Sequence, residues 1–411
     1  MKTKQLQNML TAIAALFIAT FVLPISANAK GTSYGFIVGN TTVTTDNYNN
    51  ITGDYIKPYN TSLPYKAYYT PSTRTLYLEN IDIRRSGSNN RCIINKTCYG
   101  LTVVFKGSNY FFAKNASAIR CEQTTTLEQE TGASVTVSSK EQEAIFACNT
   151  ASLTIKNGIF TCASDKKAVI GGDGNEKLTL ENTTITGSTN SDLRFIVYDF
   201  EKVKLSNSTI KGYTSSTPVV GIGVNSKSWN DIVVWDTNNI ETFSGGISAS
   251  SKTTIVGGGT LNITSENSYA IQTYGTQLII GDCTVNAKGK WGIKGTDLSK
   301  GQLVFTDANV TINSSEACIS DIETLELHYC AITQPSGAAF RTSLYGVALG
   351  GTLVKGKLMI CNGASGIASP TVDIPAKKHG IYTMQGMKMQ GEFDSLPAGI
   401  YIVNGKKVVK R

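Results

Sequence analysis

The chain has 411 residues, of which 41% are apolar and 17% charged, with 39 glycines and nine prolines. That apolar share excludes a fully disordered chain, and helical apolar spacing is absent beyond the first segment. The formal charge of +8 does not mark a nucleic-acid binder. Without Lys2 and Lys4 the chain holds 36 basic and 30 acidic residues, and within Lys30–Pro375 the counts are 29 and 28. The basicity belongs to the C-terminal tail, and a nucleic-acid footprint would need a basic face.

Residues 1–29 read as a signal peptide. Lys2 and Lys4 precede the apolar run "MLTAIAALFIATFVLPI", and Ala27-Asn28-Ala29 is an A-x-A cleavage site. No later segment is apolar enough to span a membrane, so the mature chain is expected to be exported. Residues 30–72 lack the repeat described next and are expected to cap one end of it.

Residues 73–350 repeat. Asn157, in "SLTIKNGIFTCAS", has counterparts at Asn80, Gly107, Thr131, Asn182, Asn207, Asp236, Gly257, Asp282, Asp307 and Tyr329, at steps of 21 to 29 residues. A second column keeps the same period: Ile93, Ile119, Ile145, Val169, Ile196, Ile222, Ile247, Ile271, Ile293, Ile319 and Phe340, nearly always after a small residue. Each unit holds three short β-runs and no helical pattern. Taken alone, Asn157-Gly158 between alternating apolar residues would be a hairpin. Repeated every 25 residues or so, it is the corner between two strands of one coil. The chain is therefore expected to be all-β: a single-stranded parallel β-helix of about eleven coils, each strand pairing with its equivalents in neighbouring coils ~4.8 Å away. Alternation points Leu153 and Ile155 inward and Thr154 outward, with equivalent inward pairs through Leu325/Leu327. Residues 351–375 are expected to form a final coil and linker, and 376–411 a small C-terminal β domain.

Several positions are candidates for chemistry. Asn suits a tight corner and tolerates left-handed backbone, and stacked amides can bond along the axis. Where the corner turns acidic, at Asp236, Asp282 and Asp307, like charges repel, and Ca2+ would relieve this with hard oxygen ligands. "GGDGNE" at 171–176 lacks the spacing of a full calcium loop and reads as a glycine-rich turn. The middle outward position of the first strand becomes apolar at Val233, Ile279 and Val304, marking a covered or binding face. Trp229, Trp235 and Trp291 are the only tryptophans, and all fall in coils seven to nine. They are the candidate sugar-stacking residues. The nine cysteines mostly occupy repeat columns and read as small buried thiols. Only His328 and His379 are present, neither with a recognisable nucleophile partner, and no paired carboxylates stand out. "VVWDTN" at 233–238 lacks the His that a pectate-lyase strand would carry.

From "YTPSTRTLYLEN" through the "LTIKNG" and "LTLENT" units, over roughly 69–348, the body resembles the repeat-rich bacterial carbohydrate-binding parallel β-helix proteins. That resemblance implies calcium-binding coils and polysaccharide binding without established catalysis. The tail "GIYTMQGMKMQGEFDSLPAGIYIVNGKKVVKR" resembles the C-terminal sorting domain of exported Bacteroidetes proteins, and departs from it at Met387-Lys388, where a basic pair is usual. The combined expectation is an exported monomer at the outer-membrane surface or outside the cell, binding polysaccharide through one long face. A surface adhesin or structural rod is the first alternative, and a polysaccharide lyase or glycoside hydrolase the second.

Overall fold

In the computed structural model the described residues are 31–190, 195–212, 219–225, 229–296 and 301–363, and, further on, 381–383, 388–389, 393, 396–403 and 406–410. Residues 1–29, read above as a signal peptide, therefore lie outside them. The chain divides into two compact units, one through Gly366 and one from Ile367.

The first unit is a parallel β-solenoid built from three ladders. Strands at 75–79, 101–106, 125–129 and onward to 322–328 form the first ladder. Strands from 81–88 to 309–314 form the second. Strands from 93–95 to 317–320 form the third. Ser152–Ser164 shows why no hairpin forms: it is one continuous strand bent at Asn157-Gly158. Its first half pairs with 125–128 and its second with 135–139, so the halves never pair with each other.

Ten coils carry all three strands, which makes nine coil-to-coil steps. The expected eleventh coil contributes only its first strand, 322–328, to the parallel stack. The physical reason is a reversed strand, 356–362. It pairs antiparallel with 310–314 on one side and 330–334 on the other, taking the place of the next parallel neighbour. It also stands where a final coil was expected over 351–363; the rest of that expectation, 364–375, lies outside the described residues. Phe340 leaves the Ile column because 339–341 pairs antiparallel with 346–348 in a separate small sheet.

At the other end, strands from within 31–72 pair with the first coil. Each ladder there is met by an antiparallel strand: 66–70 on the first, 57–58 on the second and 36–38 on the third. The edges that would otherwise invite pairing are thereby covered.

The inward column of the third ladder reads Ile93, Ile119, Ile145, Ile170, Val197, Ile222, Ile247, Ile271, Ile293, Ile319. The expected members Val169 and Ile196 are each one residue out of register. Val169-Ile170 and Ile196-Val197 are apolar pairs with both members buried, so hydrophobicity alone does not select between them. Like-on-like stacking removes each of these side chains from water, worth about 1.5–3 kcal/mol apiece. Phe105 packs against Phe111 and Phe160 in the core, with ring centroids 5.6 and 6.0 Å apart.

The second unit contains a four-stranded antiparallel sheet in the order 388–389, 381–383, 399–403, 406–410. Tyr401 is buried, packs edge-on to Phe393 with ring centroids 6.0 Å apart, and donates its hydroxyl to the carbonyl of Pro397 at 2.9 Å. The expected turn residues Asn404 and Gly405 lie outside the described residues. No helix among the described residues is long and apolar enough to cross a membrane.

Candidate functional site

The corner between the first and second ladders is a backbone device. Asn80, Asn157, Asn182, Asn207, Asp236, Asp282, Asp307 and Tyr329 all have φ between 48° and 59°. Only Gly, Asn and Asp reach that left-handed region at low cost. Thr131 does not take it; Gly132 does, at φ 81°. The amide ladder expected along this column is partial. Asn207 Nδ2 donates to Asn182 Oδ1 at 3.0 Å, whereas Asn157 Nδ2 turns to Glu128 Oε1 at 3.0 Å. The longer ladder runs on the second face, unpredicted: Asn286 to Asn262 and Asn262 to Asn239, each 2.9 Å, then Asn239 to Thr209 at 3.3 Å.

Asp236, Asp282 and Asp307 do share this corner, but they do not converge. Asp236 accepts from Ser206 Oγ at 2.7 Å. The coil that follows turns on Gly257-Gly258-Gly259 and offers no carboxylate there. Among the described residues, no three His, Cys, Asp or Glu side chains form a metal-sized group. In "GGDGNE" the fully buried Glu176 carboxylate accepts the amides of Thr150, Asp173 and Asn175 at 2.8–3.1 Å, so it closes a loop.

The tryptophans divide between faces. Trp229 precedes and Trp235 ends one first-ladder strand, 230–235, and they are 46% and 48% exposed. Six residue steps along the strand separate them by roughly 20 Å. Trp291 lies on the third ladder between Tyr269 and Ala317, under Lys294, whose Nζ is 4.5 Å from the ring centroid. Trp229 is held in place: Nε1 donates to Thr254 Oγ1 at 2.6 Å, and Lys252 Nζ lies 3.9 Å from the ring centroid. It borders a depression of about 400 Å³ with Lys177, Glu201, Lys202 and Asp231, in which Lys202 and Asp231 pair at 3.3 Å.

The apolar strip is shorter than expected. Val233 pairs with Val256, while Thr254, Ile279 and Val304 continue the row of Asp231. The compact three-glycine coil shifts the register by two, and Thr254 and Val304 are themselves buried.

All nine cysteines are free, and eight are buried. Burial alone pushes the Cys162 thiol up to about 12. His328 is exposed and meets Glu326 at 3.1 Å; His379 lies outside the described residues.

One further cleft is marked by none of the repeat columns. It lies at the corner between the second and third ladders in the early coils, and holds Arg91, Arg120, Gln142, Glu143, Phe146 and Lys167 around about 450 Å³. The signal was available one residue beyond the Ile column, at Arg120 and Phe146.

The fold makes this chain a parallel β-solenoid. No family model matches it, and no curated protein or solved structure matches it either.

Proposed function

We propose that this chain is an exported, non-catalytic polysaccharide-binding protein whose solenoid face presents the sugar contacts. The observation that carries the reading is Trp229: a half-exposed indole, fixed by its hydrogen bond to Thr254, at the rim of a polar depression. A locked aromatic ring loses little entropy on binding, and its neighbours supply donors and acceptors for hydroxyls. Trp235 is a second exposed ring on the same strand face. The C-terminal sheet supports the further reading of a sorting module for the cell surface.

The test is pull-down on insoluble polysaccharides with Trp229→Ala and, as a control on another face, Trp291→Ala. Covering about 50 Å² of indole is worth about 1.3 kcal/mol, or roughly tenfold in affinity. Trp229→Ala should lose that tenfold and Trp291→Ala should not. Equal behaviour of the two variants would overturn the Trp229 site, and binding to no polysaccharide would overturn the proposal in favour of an adhesin or structural rod.

A further inference from the structure

We propose that the cleft between the second and third ladders binds an acidic polysaccharide through its carboxylate or sulfate groups. This rests on the polysaccharide reading and names its ligand class.

The cleft is built and not incidental. Loops of successive coils are pinned alike: Gln142 N donates to Ser139 Oγ and Lys167 N to Ser164 Oγ, both at 3.1 Å. Arg120 is fixed by its Nε donating to Glu122 Oε1 at 2.7 Å, with its guanidinium 5.2 Å from the Phe146 ring centroid. Glu143 lies across Gly171, where a Cβ would come within 2.8 Å of the glutamate Cγ.

Its charge is unbalanced. Arg120 is balanced by Glu122, which leaves the Arg91 guanidinium and the Lys167 ammonium facing one lining carboxyl, Glu143, whose ionisation burial opposes. Arg91 Nη1 donates to the Asn89 carbonyl at 3.1 Å, but its buried Nε has no partner. Arg91 is half-buried and lines the cleft, where an anionic group can form a charge-assisted bond with its guanidinium. Phe146 offers an apolar ring face, and Asn89, Asn115 and Gln142 offer amides suited to sugar hydroxyls.

The same corner carries a second basic cleft six coils further on, lined by Lys288, Lys290 and Lys357 with Glu266 as its one carboxylate. At ~4.8 Å per coil the two clefts are roughly 29 Å apart. Cations spaced along one edge fit a polymer with repeated charge better than a single anion.

The experiment compares the full chain on polygalacturonate, a sulfated polysaccharide and a neutral polysaccharide by affinity electrophoresis. The two acidic arms separate carboxylate from sulfate recognition. Acidic polymer is expected to bind more tightly and to weaken as salt screens the contact. Arg91→Gln and Lys167→Ala should each weaken it about tenfold, the scale of one charge-assisted hydrogen bond. Both variants should retain neutral-glycan binding and the wild-type melting temperature. Unchanged acidic binding in both variants, with neutral binding intact, would overturn this cleft but leave the polysaccharide reading standing. Failure of every polysaccharide to bind would remove both. Duplex DNA binding equally well through the same residues would make the cleft a general polyanion site and overturn the proposal.

Discussion

Replacing Asn182 tests whether the corner is a backbone requirement. Asn182 sits at φ 48° and accepts from Asn207 Nδ2 at 3.0 Å. Ala in left-handed backbone costs about 1–2 kcal/mol, and losing an exposed hydrogen bond costs about 0.5 kcal/mol. Asn182→Ala should therefore destabilise by about 1.5–2.5 kcal/mol. Asn182→Gly also loses the hydrogen bond, but it relieves the strain while adding about 0.4–1 kcal/mol of unfolded-chain entropy. It should be the milder change, by roughly 0.8 kcal/mol. Thr179→Ala, an outward strand position in the same coil, should stay within about 0.5 kcal/mol. Urea unfolding followed by circular dichroism reads the order, provided the m-values agree. If Ala is tolerated as well as Gly, left-handed backbone does not set the corner and the reasoning fails.

Three further outcomes follow from the same geometry. Asp282→Asn and Asp307→Asn keep residues suited to the corner, so both should match the wild-type melting temperature with or without added calcium; a calcium-dependent rise in wild type that both variants lose would instead establish a cation site. Native protein should take up alkylating reagent rapidly at Cys361 alone, the one cysteine not buried, with the other eight reacting after denaturation; fast modification of several thiols by mass spectrometry would contradict the packing. Burial raises the Glu143 pKa in the folded state. The unfolded chain therefore releases that proton first, and stability falls as pH rises from the ordinary carboxyl value through the folded one. Glu143→Gln should melt at a higher temperature than wild type at pH 8 and at the same temperature at pH 4, and a constant difference across that range would refute the assignment.

The sequence by itself determined the coil, its corners and its inward faces, because those are local properties. Alternation of period two and left-handed Asn or Asp at 157, 182, 207, 236, 282 and 307 need no knowledge of distant residues. What lay beyond it depended on register and on which chain segments meet. Val169-Ile170 and Ile196-Val197 are each doubly apolar, so only pairing with the coils on either side chose Ile170 and Val197. The end of the stack was fixed by strand 356–362 reversing direction, a choice that no repeat column records. Trp229 and Trp291 lie only two coils apart but face different ways, because coil number does not say which ladder a residue occupies. Arg91, Arg120, Glu143 and Lys167 are far apart in sequence. They became a cleft only when stacking set one coil's corner upon the next.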